Sequence, residues 1–347
     1  MLLQRVRSPG PNAIPNPRGK GGSRETLALL LPPLGNEEAH VKKVRQRWLG
    51  MAAIGIVTVL LGACGGDDSA DTGSASSESV VESGVSIPAD APQRIVSLSP
   101  SHTEMLFAIG AGDQVVAVDS LSTFPEETSA VVTDLSAFEP NVEAISKYEP
   151  DLVVIADDSS GISAQLADIG IETWIGLAPT TIDEVYAQIE DLGARVGHVD
   201  EANALVAEMT SSVAEIVAGA PMLDTPLTYY HELDDTYFSV TSNTFIGSLY
   251  AMLGLRNIAD ATEGDTDYPQ LSAEFIVSQD PDLIFLADTK CCGITADSVG
   301  ARPGWEALSS VLAGDVIEMD DDIASRWGPR IVDYLRAVSD AIAAIES

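Results

Sequence analysis

A sixteen-residue segment occurs twice in this chain. Asn141-Val142-Glu143-Ala144-Ile145-Ser146-Lys147-Tyr148-Glu149-Pro150-Asp151-Leu152-Val153-Val154-Ile155-Ala156 lies without a gap on Ser272-Ala273-Glu274-Phe275-Ile276-Val277-Ser278-Gln279-Asp280-Pro281-Asp282-Leu283-Ile284-Phe285-Leu286-Ala287. Each copy sets a capping side chain two positions ahead of a glutamate, runs through a short helix, turns at acidic-Pro-Asp-Leu and ends in an apolar strand. A helix that feeds a buried strand is one unit of a parallel α/β sheet, because parallel neighbours need a crossover. A weaker echo links the helix ahead of Gly112-Asp113 with residues 245–253 ahead of Gly254. Two echoes in the same order point to two lobes of related architecture.

The local pattern fills in the first lobe. Arg94-Ile95-Val96-Ser97-Leu98 reads as a short buried strand, and Ser101-His102-Thr103-Glu104 reads as a capping box opening a helix. Met105, Leu106 and Ile109 give that helix an apolar face, and Gly110 and Gly112 stop it before the strand Val115-Val116-Ala117-Val118. Between the repeats, Ile182, Val185, Ile189 and Leu192 recur at helical spacing, followed by Ala204, Leu205, Met209, Val213 and Ile216. Residues 200–220 contain no Pro and a single Gly, Gly219, so one helix of about 30 Å is expected there. The fold class is α/β: two Rossmann-like lobes with parallel-sheet cores, 92–199 and 221–347, joined by one long α-helix, 200–220. A lone stiff crossing permits only a modest change in lobe angle.

Charge separates the N-terminal part from this body. Through Cys64 there are 9 Lys+Arg and 3 Asp+Glu; the rest carries 9 and 50. So acidic a body is a poor partner for nucleic acid, whose phosphates need clustered Lys and Arg. Val41-Lys42-Lys43-Val44-Arg45-Gln46-Arg47 is basic, residues 48–63 are apolar and uncharged, and Leu61-Gly62-Ala63-Cys64 closes the run with small residues. That order is the pattern of an export signal, and the apolar run is shorter than the roughly 20 residues of a membrane span. With Cys at the junction, the segment resembles a bacterial lipoprotein signal, 41–63. The resemblance implies acylation of Cys64 and anchorage on the outer face of the cell membrane; the other reading is an uncleaved hydrophobic anchor. Residues 1–40 are aperiodic, an extension ahead of the true start or a disordered segment. Residues 64–91 are mostly Ser, Gly, Asp and Glu and suit a flexible tether.

The run from Arg94 to Glu104, the Asn-x-Glu-x-Ile…Pro-Asp-Leu segment and Ser325-Arg326-Trp327-Gly328-Pro329-Arg330 resemble the periplasmic binding proteins for vitamin B12 and ferric siderophores, over essentially all of 92–347. The resemblance implies a monomeric, non-enzymatic protein without a resident cofactor. It would clasp a corrinoid or ferric siderophore between the lobes and dock on an ABC permease driven by an ATPase. Family members dock through one glutamate on each lobe. The matching positions are Glu143 and Glu274, the pair picked out independently by the repeat; the plainer reading is a carboxylate complementing a helix N-terminus.

For the cleft, Phe124, Phe138, Tyr268 and Trp327 fall in loops expected to face it, unless they fold back onto the core. Asp322 and Arg326 match a polar pair that contacts the corrinoid in some members, and Arg326 suits an amide, phosphate or carboxylate. Arg330 is expected beside the next helix, with Pro329 at its first position. Where cobalamin binders carry a Trp, this chain has Ala137-Phe138, so cobinamide, haem and siderophores stay open. Seven scattered arginines after Cys64 favour a neutral or weakly charged ligand such as a corrinoid.

Cys291 and Cys292 form either an adjacent-residue disulfide, as export favours, or two small buried thiols in a turn. His102, a candidate for the cleft wall, His198 and His231 are too dispersed for a zinc site. Ser99 and Ser101 lack the Gly-x-Ser-x-Gly elbow of a hydrolase. A different class of function, an adhesion or scaffold lipoprotein on the same fold, is favoured by buried cleft aromatics and inaccessible glutamates.

Overall fold

The structure, a computed structural model, describes residues 88–345 apart from Met222, Glu263 and Asp265. The extension 1–40, the signal 41–63, Cys64 and most of the tether lie outside the described residues.

The first lobe runs β1 (Ile95–Leu98), α1 (Pro100–Ala108), β2 (Val115–Val118), α2 (Val142–Ser146), β3 (Leu152–Ile155), α3 (Ile162–Ala167) and β4 (Glu172–Ile175). Two longer helices come next, α4 (Ile182–Val196) and α5 (Val199–Gly219). The second lobe begins with β5 (Thr228–Glu232), α6 (Phe245–Met252), β6 (Arg256–Asn257), α7 (Ala273–Gln279) and β7 (Leu283–Leu286). It continues with α8 (Thr289–Cys292), α9 (Ala296–Gly300), α10 (Ser309–Ala313), β8 (Val316–Glu318), α11 (Asp321–Ala324) and α12 (Ile331–Ile345). The strands form two parallel sheets, β2-β1-β3-β4 and β6-β5-β7-β8. Ile95 sits opposite Leu152 in one, and Tyr229 opposite Leu283 in the other. The topology is therefore duplicated.

The repeat is duplicated in its atoms as well. Asn141 accepts a hydrogen bond from the Ala144 N–H, and Ser272 accepts one from Phe275. Glu149 and Asp280, at equivalent places, both take positive φ, 48° and 45°. The next aspartates tie each turn to the neighbouring strand. Asp151 accepts from the N–H groups of Gln93 and Arg94 at 2.8 and 3.0 Å, and Asp282 from the N–H and hydroxyl of Thr228 at 2.7 and 2.8 Å. An acidic-Pro-Asp-Leu turn thus registers a strand against its partner in both lobes.

Strands buried on both faces need continuous apolar runs, and alternate residues serve different cores. Ile95, Leu152 and Val154 join α1, α4 and α5 in a core that also takes Tyr229, Leu283, Phe285 and α12 from the second lobe. Val96, Leu98, Val153 and Ile155 face the other way, onto Ile145, Ile162 and Leu166. Tyr230, Ile284 and Leu286 do the same beside Ile276 and Trp305. The shared central core is the reason the connector is not a lone strut: α5 packs on α4 and on α12.

Three local expectations are corrected. The helix expected from Ser101 starts at Pro100, with Ser99 at the cap position and no capping side chain; proline's fixed φ suits the first helical position. Pro329 does not open α12, which begins two residues later. Cys291 and Cys292 are free and exposed in α8 rather than bridged or buried; here a turn of helix ends at Gly293, whose φ of 70° closes it.

Candidate functional site

A pocket of about 600 Å³ opens where the C-terminal ends of β1 and β3 meet the segment after α11. Strand ends of open parallel sheets are where such folds hold ligands, because the loops there diverge. Leu98, Ser99, Pro100 and Ser101 enter from the β1–α1 junction, and Ile155, Ala156, Asp157, Ser159, Ser160 and Ile162 from β3–α3. Leu121, Ala137, Phe138 and Pro140 come from the long connection after β2. The second lobe supplies Asp322, Ser325, Arg326 and Trp327.

Trp327 is held from the first lobe. Its N–H donates to Ser101 Oγ at 3.2 Å and its indole N–H to Gln188 Oε1 at 3.3 Å. The same Oε1 accepts from His102 Nε2 at 3.0 Å, while Ser99 Oγ lies 2.7 Å from Nδ1. His102 is fully buried, with the Trp327 and Trp174 rings nearly perpendicular to its own at centroid distances of 5.8 and 5.0 Å. Burial pushes its pKa down to about 4 against the bond to Gln188, so it is neutral. His102 is therefore a support behind the wall and not part of it.

Arg326 reaches three oxygens: Asp322 Oδ1 at 2.7 Å, the Leu121 carbonyl at 2.9 Å and Glu104 Oε1 at 3.3 Å. Asp322 also accepts from Lys290 Nζ at 3.0 Å. Asp157 accepts from the N–H and hydroxyl of Ser159.

Of the residues singled out in the sequence, the fold brings Phe138, Asp322, Arg326 and Trp327 together in this pocket. Phe138 is 83% exposed, an aromatic ring with no core to fill. Phe124 instead lies in a neighbouring groove of about 330 Å³, its ring 4.0 Å from the Arg330 guanidinium. Tyr268 is exposed and does not line the pocket. Glu143 and Glu274 are exposed in the first turns of α2 and α7. Among the described residues no group of three or more His, Cys, Asp or Glu is placed to hold a metal ion, and no helix is long and apolar enough to cross a membrane.

Sequence reasoning missed Glu104, Gln188 and Asp157. Asp157 had a signal: one step past the repeat, Asp157 still lies on Asp288. Glu104 had a misleading one, the Ser-x-x-Glu spacing, and Gln188 had none.

A model of the family described as periplasmic binding protein matches residues 95–323. An uncharacterized ABC transporter substrate-binding lipoprotein of Bacillus subtilis is 31% identical, over 72% of this chain and 80% of its own length. A cobalamin-binding protein of Halobacterium salinarum is 33% identical, over 72% and 69%. Among solved structures, a periplasmic haem-binding protein of Roseiflexus covers 74% of this chain and 99% of its own with a TM-score of 0.65 and 24% identity. The vitamin B12 binding protein of Vibrio cholerae covers 74% and 98% with a TM-score of 0.60 and 22% identity. Both structures share the fold of two parallel-sheet α/β lobes.

Proposed function

Because this chain belongs to the periplasmic binding protein family, we propose that it captures a corrinoid in the cleft between its lobes and delivers it to the permease of an ABC importer. The observation that carries the reading is the make-up of the cleft. Its wall is apolar and aromatic at Leu98, Leu121, Phe138, Ile155 and Trp327, and among the described residues none that line this pocket is His, Tyr, Cys or Met. Such a wall offers no customary axial ligand to a haem iron. A corrinoid brings its metal already ligated and needs only a flat apolar contact with a few polar anchors. The cobalamin-binding name of a relative at 33% identity supports the same ligand.

Glu143 and Glu274 serve as the docking pair, one on each lobe at the same point of the repeat. Their exposure and their place on duplicated helices suit a two-fold symmetric permease. Acyl chains on Cys64 hold the protein to the membrane, each buried methylene contributing about 0.8 kcal/mol. The protein works as a monomer and catalyses nothing: the cleft binds, and energy comes from the ATPase partner.

Titration of the protein with cyanocobalamin, cobinamide, haem and ferric siderophores, monitored by tryptophan fluorescence, tests the ligand. Saturable quenching by corrinoids, lost in Trp327→Phe, is expected; no response to corrinoids rejects the reading. In cells, the combined Glu143→Ala and Glu274→Ala variant is expected to lose uptake while keeping ligand affinity, and Cys64→Ser to lose the membrane. Retained uptake or retained membrane association overturns the respective role.

A further inference from the structure

The loop Ser325-Arg326-Trp327-Gly328-Pro329-Arg330 belongs to the second lobe by position, yet its arginines converge on one carboxylate of the first. Arg330 donates from Nε to Glu104 Oε2 at 3.1 Å and from Nη2 to Oε1, while Arg326 Nη1 reaches Oε1 at 3.3 Å. Glu104 is 3% exposed, in the interior of α1 and more than two hundred residues away in the chain. The loop can press so close only because position 328 is glycine. A Cβ there would stand 2.6 Å from Glu104 Oε2 and 3.1 Å from Glu104 Cβ.

The arrangement fixes the charge that a ligand meets. Arg326 is the one cation lining the pocket among the described residues, beside the carboxylates of Asp157 and Asp322. A guanidinium has five N–H groups in a planar fork. Here Nη2 serves the Leu121 carbonyl and Asp322, and Nη1 serves Glu104. The nearest other cations are no freer: Arg330 is held by Glu104, and Lys290 by Asp320 and Asp322 at 2.6 and 3.0 Å. The remaining donors of Arg326 suit a neutral carbonyl, which adds no charge. A ligand carboxylate or catecholate would share the pocket with Asp322 and Asp157, with the Glu104 charge behind Arg326, in a site with low-dielectric walls where like-charge repulsion is least screened.

We propose that Glu104 and Asp322 together determine the specificity of the cleft: Asp322 at 2.7 Å and, from the far side of the wall, the Glu104 carboxylate shared with Arg330 offset the charge of Arg326, and so restrict the ligands to neutral, carbonyl-bearing molecules and shut out polyanions. This rests on the assignment of the cleft as the ligand site and deepens it. Glu104 touches Arg326 and not the ligand, so it is a positioning residue whose signature is a change in selectivity rather than a uniform loss of binding.

The test is calorimetric titration of the wild-type protein, Glu104→Gln and Asp322→Asn with two probes, neutral cyanocobalamin and an anionic ferric tris-catecholate. In the wild type the anion binds at least about tenfold more weakly than the corrinoid. In either variant the ratio of anion to corrinoid affinity rises by at least about tenfold, and the gain shrinks as salt is added. An unchanged ratio, or a change that salt does not touch, overturns the proposal, as does tight anion binding by the wild type. Circular dichroism checks folding; if Glu104→Gln does not fold, Asp322→Asn, on the partly exposed side of Arg326, decides alone. If the wild type binds neither probe, the corrinoid reading fails, and gain or no gain of anion binding in the variants still judges this one.

Discussion

Asp157 and Asp288 occupy the same place in the two lobes, two residues past the ends of β3 and β7, and live in opposite surroundings. Asp157 is exposed, lines the pocket and accepts bonds from Ser159. Asp288 is fully buried beside Glu232, which is also fully buried. Glu232 is held by Arg302 through two bonds of 2.6 Å, and Arg302 in turn packs over the rings of Tyr237 and Trp305. The difference lies in the chain just beyond each strand. After β3 it makes an open Ser-rich loop, whereas after β7 it enters α8 at once, whose first N–H groups are held by Asp321. Duplicated backbone has not duplicated the pocket: one strand end lines an open pocket, and its counterpart is a sealed acidic cluster with one arginine for two carboxylates.

The sharpest way to break this comparison is to remove that arginine. Arg302→Ala leaves Glu232 and Asp288 buried without a cation, and destabilisation of about 3–5 kcal/mol is expected in denaturant unfolding. A loss below about 1 kcal/mol would mean that water enters the cluster and that the second strand end is not sealed.

A smaller effect separates the aspartates themselves. Burial, then the nearby Glu232 charge, pushes the Asp288 pKa up from 3.8 to about 7. A raised carboxylate pKa means that the folded state holds a proton the unfolded chain has released. The resulting penalty is absent below pH 3.8, grows between 3.8 and about 7, and is complete above. Asp288→Asn should therefore flatten the pH dependence of stability in that window and gain at least about 1 kcal/mol at pH 8 relative to pH 4. Asp157→Asn should change stability by no more than about 0.5 kcal/mol at either pH. Equal responses from the two variants would erase the distinction between the lobes.

Much of the fold was legible because repeats and apolar runs are local signals. The acidic-Pro-Asp-Leu turn marked β3 and β7, and the long helical period ahead of Ala220 marked α5. The cleft was half legible. Phe138 and Trp327 stand in loops, where an aromatic ring has little local core to fill, but loop position alone does not say which way a ring faces. Phe124 turned toward Arg330, and Tyr268 stayed outside the pocket. Glu104 was misread because Ser-x-x-Glu suits a helix start, whereas Pro100 begins the helix earlier and frees the carboxylate for arginines over two hundred residues away. Such a pairing has no local trace. It exists only once α12 and its preceding loop fold back against α1.

The most direct measurement is hydrogen–deuterium exchange with and without saturating cyanocobalamin. Slowed exchange is expected in residues 99–101, 137–140, 156–160 and 325–327, with no change in residues 287–289 around Asp288. Protection confined to other surfaces, or none at a ligand concentration that quenches Trp327, would contradict a binding site between the lobes.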